Sequence, residues 1–318
     1  MFAGGVATWA LGRIVLPDPL TRWGRPMLDD LARAIGRHCT GGLSTDTAVP
    51  RLTVVATDVR SGATDMLYEP MLCFVAGGAK RTSSGDRQWL IGAGTMYVSS
   101  LNVPVTATFE SLPYRSAVLR LDDQVLADLL LELGESAPGP AKDPGGLQTA
   151  PMTPEVIDAV TRWVRLLDTP DDIGALAGRI EDEILYRLLG SPIGPMLRQF
   201  ALADSHVTQV RRVANWIREH YARPLSIDTI AGVAHMSAAT LHRHFKNATG
   251  MSPVQFQKRL RLQEARRLLV AGGATAAVVG ERVGYVSATQ FSREYRRAYG
   301  SPPAQDALRL RSQLKSAP

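Results

Sequence analysis

Residues 225–250 read LSIDTIAGVAHMSAATLHRHFKNATG. Ile227, Ile230, Ala231 and Ala234 line one side of a short apolar helix, and His235–Met236 makes a tight break. Ser237, a good N-cap, opens a second helix on which Leu241, Phe245 and Ala248 share a stripe at i, i+4, i+7. The other face carries His242, Arg243, Lys246 and Asn247, all able to donate hydrogen bonds. Two short helices around a tight turn, the second basic on its free face, are the pattern of a helix-turn-helix unit.

The pattern returns downstream. Residues 275–300, TAAVVGERVGYVSATQFSREYRRAYG, give a short helix, a turn at Gly284–Tyr285 and a helix opening on Ser287. Ser237/Ser287, Leu241/Phe291, Arg243/Arg293, Phe245/Tyr295, Ala248/Ala298 and Gly250/Gly300 all stand 50 residues apart, so the chain contains an internal repeat. Between the units, Ser252–Pro253 starts a long helix that Gly272–Gly273 ends. A rod of ~25 Å at ~1.5 Å per residue suits two recognition helices entering successive major grooves ~34 Å apart. Upstream, Thr208–Tyr221 reads as a further helix ended by Arg223–Pro224.

Charge divides the chain in the same place. The 318 residues carry a net +6, but 204–318 hold 18 Lys and Arg against 7 Asp and Glu, and 1–203 hold 18 against 23. A basic block fused to an acidic one implies that only one end meets a polyanion. Hydrophobic content of 45% and charged content of 21% are those of a soluble globular chain. Cys39 and Cys73 are too few for a disulfide framework, so a cytoplasmic setting is expected. The first 17 residues lack a basic leader, and no run approaches 18 apolar residues, so neither signal peptide nor membrane span is expected.

The first half reads differently. After a helical pattern over Met27–Ile35, period-two and short apolar runs follow from about residue 50: RLTVVATDV, PMLCFVAGGAKRT, QWLIGAGTMYVSS, VPVTATFES and YRSAVLRL. SGATD and SSGD read as turns between them, as in a small sandwich or barrel. Helices are expected over Leu121–Leu133, Pro154–Leu167 and Asp171–Leu189, with a Gly/Pro-rich loop over Ser136–Pro151. Two Gly/Pro breaks in residues 190–206 place a boundary near 200. This half has one histidine, His38, ahead of the strands, so no metal site, nucleophile–histidine pair or other enzyme centre is expected. Cys73 is mid-strand and admits two readings: a small buried hydrophobe, or a lumen-facing thiol that senses an electrophile, given a lowered pKa. Lys80 and Arg81 follow at the strand end, either supplying a positive field or simply solvated.

On these motifs the segment 208–312 resembles the two-unit DNA-binding domain of the AraC/XylS family of transcriptional regulators. The residues that carry it are ARPLSIDTIAGVAHMSAATLHRHFKNATGMSP, the linker helix and VGERVGYVSATQFSREYRRAYGSPP. YEPMLCFVAGGAKR, LNVPVTATF and LLGSPIGPMLRQFA resemble a subgroup with a cupin-like sensor domain. Two places depart: Gly280 stands where the family usually has alanine, and GSPPAQDALR lacks the aromatic–Arg pair common there.

The expected fold is therefore α+β: an extension over 1–25, poorly ordered; a cupin-like β-barrel with flanking helices over 26–200; and an all-α domain over 201–318, with helix-turn-helix units at 225–250 and 274–300 joined by a linker helix. The base-reading candidates are those that project from the apolar stripe and match the family motif: Ala239, His242 and Arg243, then Ala288, Thr289, Ser292 and Arg293. Arg243 and Arg293 suit bidentate contacts to guanine, worth ~1–3 kcal/mol of discrimination each. Lys246, Arg296 and Arg297 suit phosphates. The resemblance implies double-stranded DNA and a small-molecule effector as partners, RNA polymerase if the chain is an activator, a possible homodimer, and no cofactor. A barrel that only dimerises, or an enzyme fused to a DNA reader, are the alternatives.

Overall fold

The computed structural model describes residues 24–60, 62–134, 146–202 and 205–315, with side chains to residue 312. The expectation for the N-terminal extension over 1–25 falls on residues outside the described ones except Gly24 and Arg25, which open a helix; most of the 136–151 loop and residues 203–204 of the boundary segment also lie outside. No described helix is long and apolar enough to cross a membrane.

Helix α1 (Gly24–Arg37) precedes seven strands: β1 (Ser44–Asp46), β2 (Leu52–Thr57), β3 (Thr64–Tyr68), β4 (Met71–Ser84), β5 (Arg87–Gly92), β6 (Thr95–Ser99) and β7 (Val103–Arg120). Helix α2 (Asp123–Glu132), strand β8 (Leu147–Pro151), α3 (Pro154–Arg165), α4 (Ile173–Leu189) and α5 (Gly194–Ala201) complete this half. All eight strands join one antiparallel sheet, β1-β2-β7-β4-β6-β8, with β3 also on β7 and β5 also on β4. Two expected turns are parts of strands. TD of SGATD opens β3, and the end of the Gly/Pro-rich loop is β8, both recruited by neighbours through backbone hydrogen bonds. The single run QWLIGAGTMYVSS is two strands broken at Ala93–Gly94, and VPVTATFES with YRSAVLRL is one.

Bends in β4 shape the sheet. Its register against β7 slips between Val75 and Lys80, and Gly78 holds φ 69°, where an added Cβ would stand 2.4 Å from the Ser111 carbonyl oxygen. Only glycine fits such a bulge. The two faces consequently serve two cores. Leu72, Phe74, Met96, Val98, Ala117 and Leu119 pack under α1–α5 with Trp163, Leu188 and Phe200. Cys73, Val75, Tyr97, Tyr114 and Val118 point into the barrel lumen.

The C-terminal half is helical: α6 (His206–Glu219), α7 (Ile227–Ala234), α8 (Ala238–Thr249), α9 (Pro253–Ala271), α10 (Ala276–Arg282), α11 (Ala288–Tyr299) and α12 (Pro303–Lys315). The linker helix α9 runs 19 residues and begins with a full capping box, Ser252 with Gln255. The lumen core does not stop at the barrel. It continues into Val210, Val213, Ile217, Ile230, Leu241, Phe245 and Phe256, so the first helix-turn-helix unit forms the floor of the barrel. The second has its own small core of Leu262, Ala265, Leu269, Val279, Val283, Phe291 and Tyr295.

Candidate nucleic-acid interface

Each recognition helix is bounded as its residues dictate. Ser237 Oγ accepts from Thr240 N at 3.2 Å, Ser287 Oγ accepts from Gln290 N at 3.3 Å, and Gly250 and Gly300 end the helices at φ 73° and 78°. Leu241, Phe245, Phe291 and Tyr295 are fully buried. A buried phenylalanine contributes ~1.5–3 kcal/mol, and these rings decide which face turns outward. The two turns differ by one residue. Met236 N bonds the Ala231 carbonyl, and Tyr285 N bonds the Gly280 carbonyl, so the repeat offset is 49 before the turn and 50 after it.

All seven base-reading candidates, Ala239, His242, Arg243, Ala288, Thr289, Ser292 and Arg293, are exposed, as are Lys246, Arg296 and Arg297. Neither Arg243 nor Arg293 makes a hydrogen bond or ion pair among the described residues. Lys246 and Arg297 come together on one open cleft of about 840 Å³, with Lys258 and Arg259 on its α9 wall and the β4–β5 hairpin (Ser84, Asp86) opposite. Cys73 lies elsewhere, fully buried on the lumen face of β4. His244 is half-buried and stacks on His206 at 4.3 Å; burial, then the neighbouring His206 and Arg243, hold its pKa below the usual imidazole range.

Three sets of contacts hold these helices. At the end of α8, Gly146 N donates to the Ala248 carbonyl at 2.7 Å and Ser84 Oγ to the Thr249 carbonyl at 3.1 Å. Along α9, Asp65 on β3 accepts from Arg259 Nη2 at 2.6 Å and Arg266 Nη1 at 3.2 Å. Between the units, Arg261 donates to the Tyr221 carbonyl (2.6 Å), the Arg223 carbonyl (2.9 Å) and the Gly284 carbonyl (2.8 Å), tying the end of the α6 segment to the second turn.

The lumen holds one charge that sequence reading put at a strand end. Lys80 lies within β4, and only 4% of it is exposed. Its Nζ donates to Tyr97 Oη at 2.8 Å and sits 5.0–5.4 Å from the ring centres of Tyr68, Tyr97 and Tyr114. Arg81, its neighbour, points outward to Glu110 at 2.7 Å. Alternation alone misplaces Lys80, because the Gly77–Gly78 bulge moves the lumen face from Cys73 and Val75 to Lys80, Thr82 and Ser84.

Comparison with known proteins agrees with this architecture. Residues 48–196 match the family profile described as the AraC-type transcriptional regulator N-terminus, and residues 230–308 match a helix-turn-helix domain profile. The HTH-type transcriptional activator RhaS of Escherichia coli is 28% identical over 148 residues, 46% of this chain and 53% of RhaS. The chain thus spans about half the length of the curated relatives it matches. A structure of apo ToxT from Vibrio cholerae superposes with a TM-score of 0.52 over 83% of this chain and 98% of that one, at 10% identity, a likeness of fold. A probable AraC family transcriptional regulator from Rhodopseudomonas palustris is 30% identical over 97% of its own length and 32% of this chain, with a TM-score of 0.31. With one profile on the barrel and another on the repeated helical units, the chain belongs to the AraC/XylS family of transcriptional regulators.

Proposed function

We propose that the protein is a sequence-specific DNA-binding transcriptional regulator with two reading helices and a barrel that senses a small molecule. The observation that carries this reading is the equivalent pair Arg243 and Arg293. Each is exposed and has no partner among the described residues, on the outer face of a helix whose inner face is buried, and α9 spaces the two. Ala239, His242, Ala288, Thr289 and Ser292 complete the base-reading set, and Lys246, Arg296 and Arg297 hold phosphates. The division of labour falls near residue 200: sensing before it, reading after it.

This assigns no catalysis to the barrel and a cytoplasmic setting; relatives named as activators favour activation, RNA polymerase is the partner if the chain is an activator, and a homodimer is the candidate assembly. Cys73 stays a sensor candidate only as a lumen residue. Its full burial means that an electrophile reaches it only when the floor of the barrel opens.

Selection of bound duplexes from a randomised pool tests the reading. Enrichment of one motif in two blocks, about one helical turn apart, is expected. Arg243→Ala and Arg293→Ala should each relax preference at one base position, in different blocks, at a cost of ~1–3 kcal/mol. A pool that never converges, or two variants that bind the selected site as wild type does at equal salt, would overturn it.

A further inference from the structure

Val286 is the most exposed large apolar side chain among the described residues, at 103%. Single apolar residues on a surface are ordinary, but this one stands directly before Ser287, the N-cap of α11. Its backbone is held from both sides. Gly284 N donates to the Glu281 carbonyl at 2.9 Å, and the Gly284 carbonyl accepts from Arg261 Nη1 at 2.8 Å. Tyr285 is buried, its N bonded to the Gly280 carbonyl at 2.9 Å and its Oη to Glu294 at 3.0 Å. Ser287 Oγ accepts from Gln290 N at 3.3 Å. An inward Tyr285 and a capping Ser287 leave Val286 in solvent, next to the exposed Ala288 and Thr289. The equivalent residue of the first unit behaves differently. Met236, 50 positions earlier, is half-buried and packs against the core shared with the barrel. Val286 serves no core, so the fold does not account for it.

We propose that Val286 is a specificity-determining residue that packs on the 5-methyl group of one thymine in the major groove. The proposal rests on the DNA-reading function above and adds to it one residue and one base. The N-terminal residues of a recognition helix are the ones that meet base edges, and Val286 extends that row by one position. Its side chain has neither donor nor acceptor, so it cannot read a hydrogen-bonding pattern. The one apolar group that an unmodified major groove offers is the thymine methyl. A β-branched side chain is stiff at χ1, and the turn beneath it is pinned by Arg261 and Glu294. Little freedom is therefore lost when the methyl is met. Methyl reading of this kind belongs to the block read with Arg293, because Met236 is folded down in the other unit.

Single-atom changes in the selected duplex test this on the full chain. Each thymine of the Arg293 block, on either strand, is replaced in turn by deoxyuridine, which removes the methyl and keeps every hydrogen-bonding group. At one position the wild type should bind the uracil duplex about fourfold more weakly, the worth of one buried methylene-sized group. Val286→Ala should bind the thymine and uracil duplexes alike at that position, with the Tm of the wild type. Val286→Ile, which keeps a branched apolar tip, should retain the discrimination. The proposal is overturned if no deoxyuridine in that block weakens wild-type binding or if Val286→Ala still discriminates. It is equally overturned if Val286→Ala lowers Tm, since the side chain would then support the fold. The two readings fail separately. A selected site that is blind to its methyls sinks only the role of Val286, whereas a pool that never converges sinks the DNA-reading function and this role with it.

Discussion

The two helix-turn-helix units repeat in sequence but not in surroundings. Phe245 of the first lies in the same apolar core as Tyr97 and Val75 of the barrel, and two hydrogen bonds from the barrel end on the last turn of its recognition helix. The second meets the barrel mainly at β3, where Asp65 holds Arg259 and Arg266 of α9 and lies against Tyr299 of α11. Its support is polar as well as apolar. Asp306, with no exposed surface, accepts from Arg266 Nε and Tyr295 Oη, each at 2.9 Å, and pairs with Arg309. A change inside the barrel reaches the first reading helix through a shared apolar core and the second through the polar contacts of Asp65. Perturbing each unit's own support should therefore give separable effects.

The largest effect is expected at Asp306. Asp306→Ala leaves Arg266 buried with half its partners gone, a loss of ~3–5 kcal/mol for a broken buried pair. Amide exchange should rise across α11 and α12 while α8 keeps its protection; equal loss in both would show that the units unfold as one. The pH dependence has a fixed sign. Burial pushes the Asp306 carboxyl upward, but hydrogen bonds from Arg266, Arg309 and Tyr295 outweigh it and hold the pKa below the usual 3.8. A depressed carboxylate contributes stability that is full above its unfolded value and lost as pH falls through the folded one. The second unit should thus loosen under acid below about pH 4, and Asp306→Asn should remove that dependence.

Gly146→Ala attacks the other support. Its added Cβ would stand 2.1 Å from the Ala248 carbonyl oxygen, so the seam must part. A cost of ~1–3 kcal/mol, typical of overpacking, is expected. Exchange should rise at the end of α8 and leave α11 unchanged, the mirror image of the Asp306 result. Asp65→Asn is milder, ~1–2 kcal/mol, since the amide keeps the shape and one acceptor oxygen while the charge and the second acceptor are lost. It should free α9 from β3 and widen the range of half-site spacings that the protein accepts in a duplex selection. An unchanged spacing preference would mean that Arg261, not Asp65, sets the distance between the units.

These contrasts show what the residues disclose on their own. The repeat, both N-cap serines and the outward faces of the reading helices follow from local rules, in which capping and 3.6-residue periodicity act over a turn or two. The seam does not. Asp65 meets Arg259 across 194 positions, and Gly146 N and Ser84 Oγ end on backbone carbonyls of α8, which carry no side-chain signature. Strand β3 and the lumen placement of Lys80 were hidden by register, which a bulge resets. Gly280 is the instructive intermediate. A helix-interior glycine reads as a loss of up to ~1 kcal/mol, but its Cβ position lies 2.9 Å from Cδ1 of Phe291, so the ring of the recognition helix occupies the space an alanine would need. The departure from the family pattern has a packing cause in the partner helix.

The smallest effect is also the most direct comparison of the units. Lys246 and Arg297 border the same cleft, one at the end of each recognition helix. If both hold phosphates in one complex, Lys246→Ala and Arg297→Ala should each lower the salt slope of duplex binding by about one, since each neutralised phosphate contributes ~0.9. Each should weaken specific and random duplexes alike, by well under the loss at Arg243. The double variant should lower the slope by about two. A slope that falls for Lys246→Ala alone would put the second unit off the DNA, held back by Asp65. In that case Asp65→Asn, by freeing α9, should restore the dependence on Arg297.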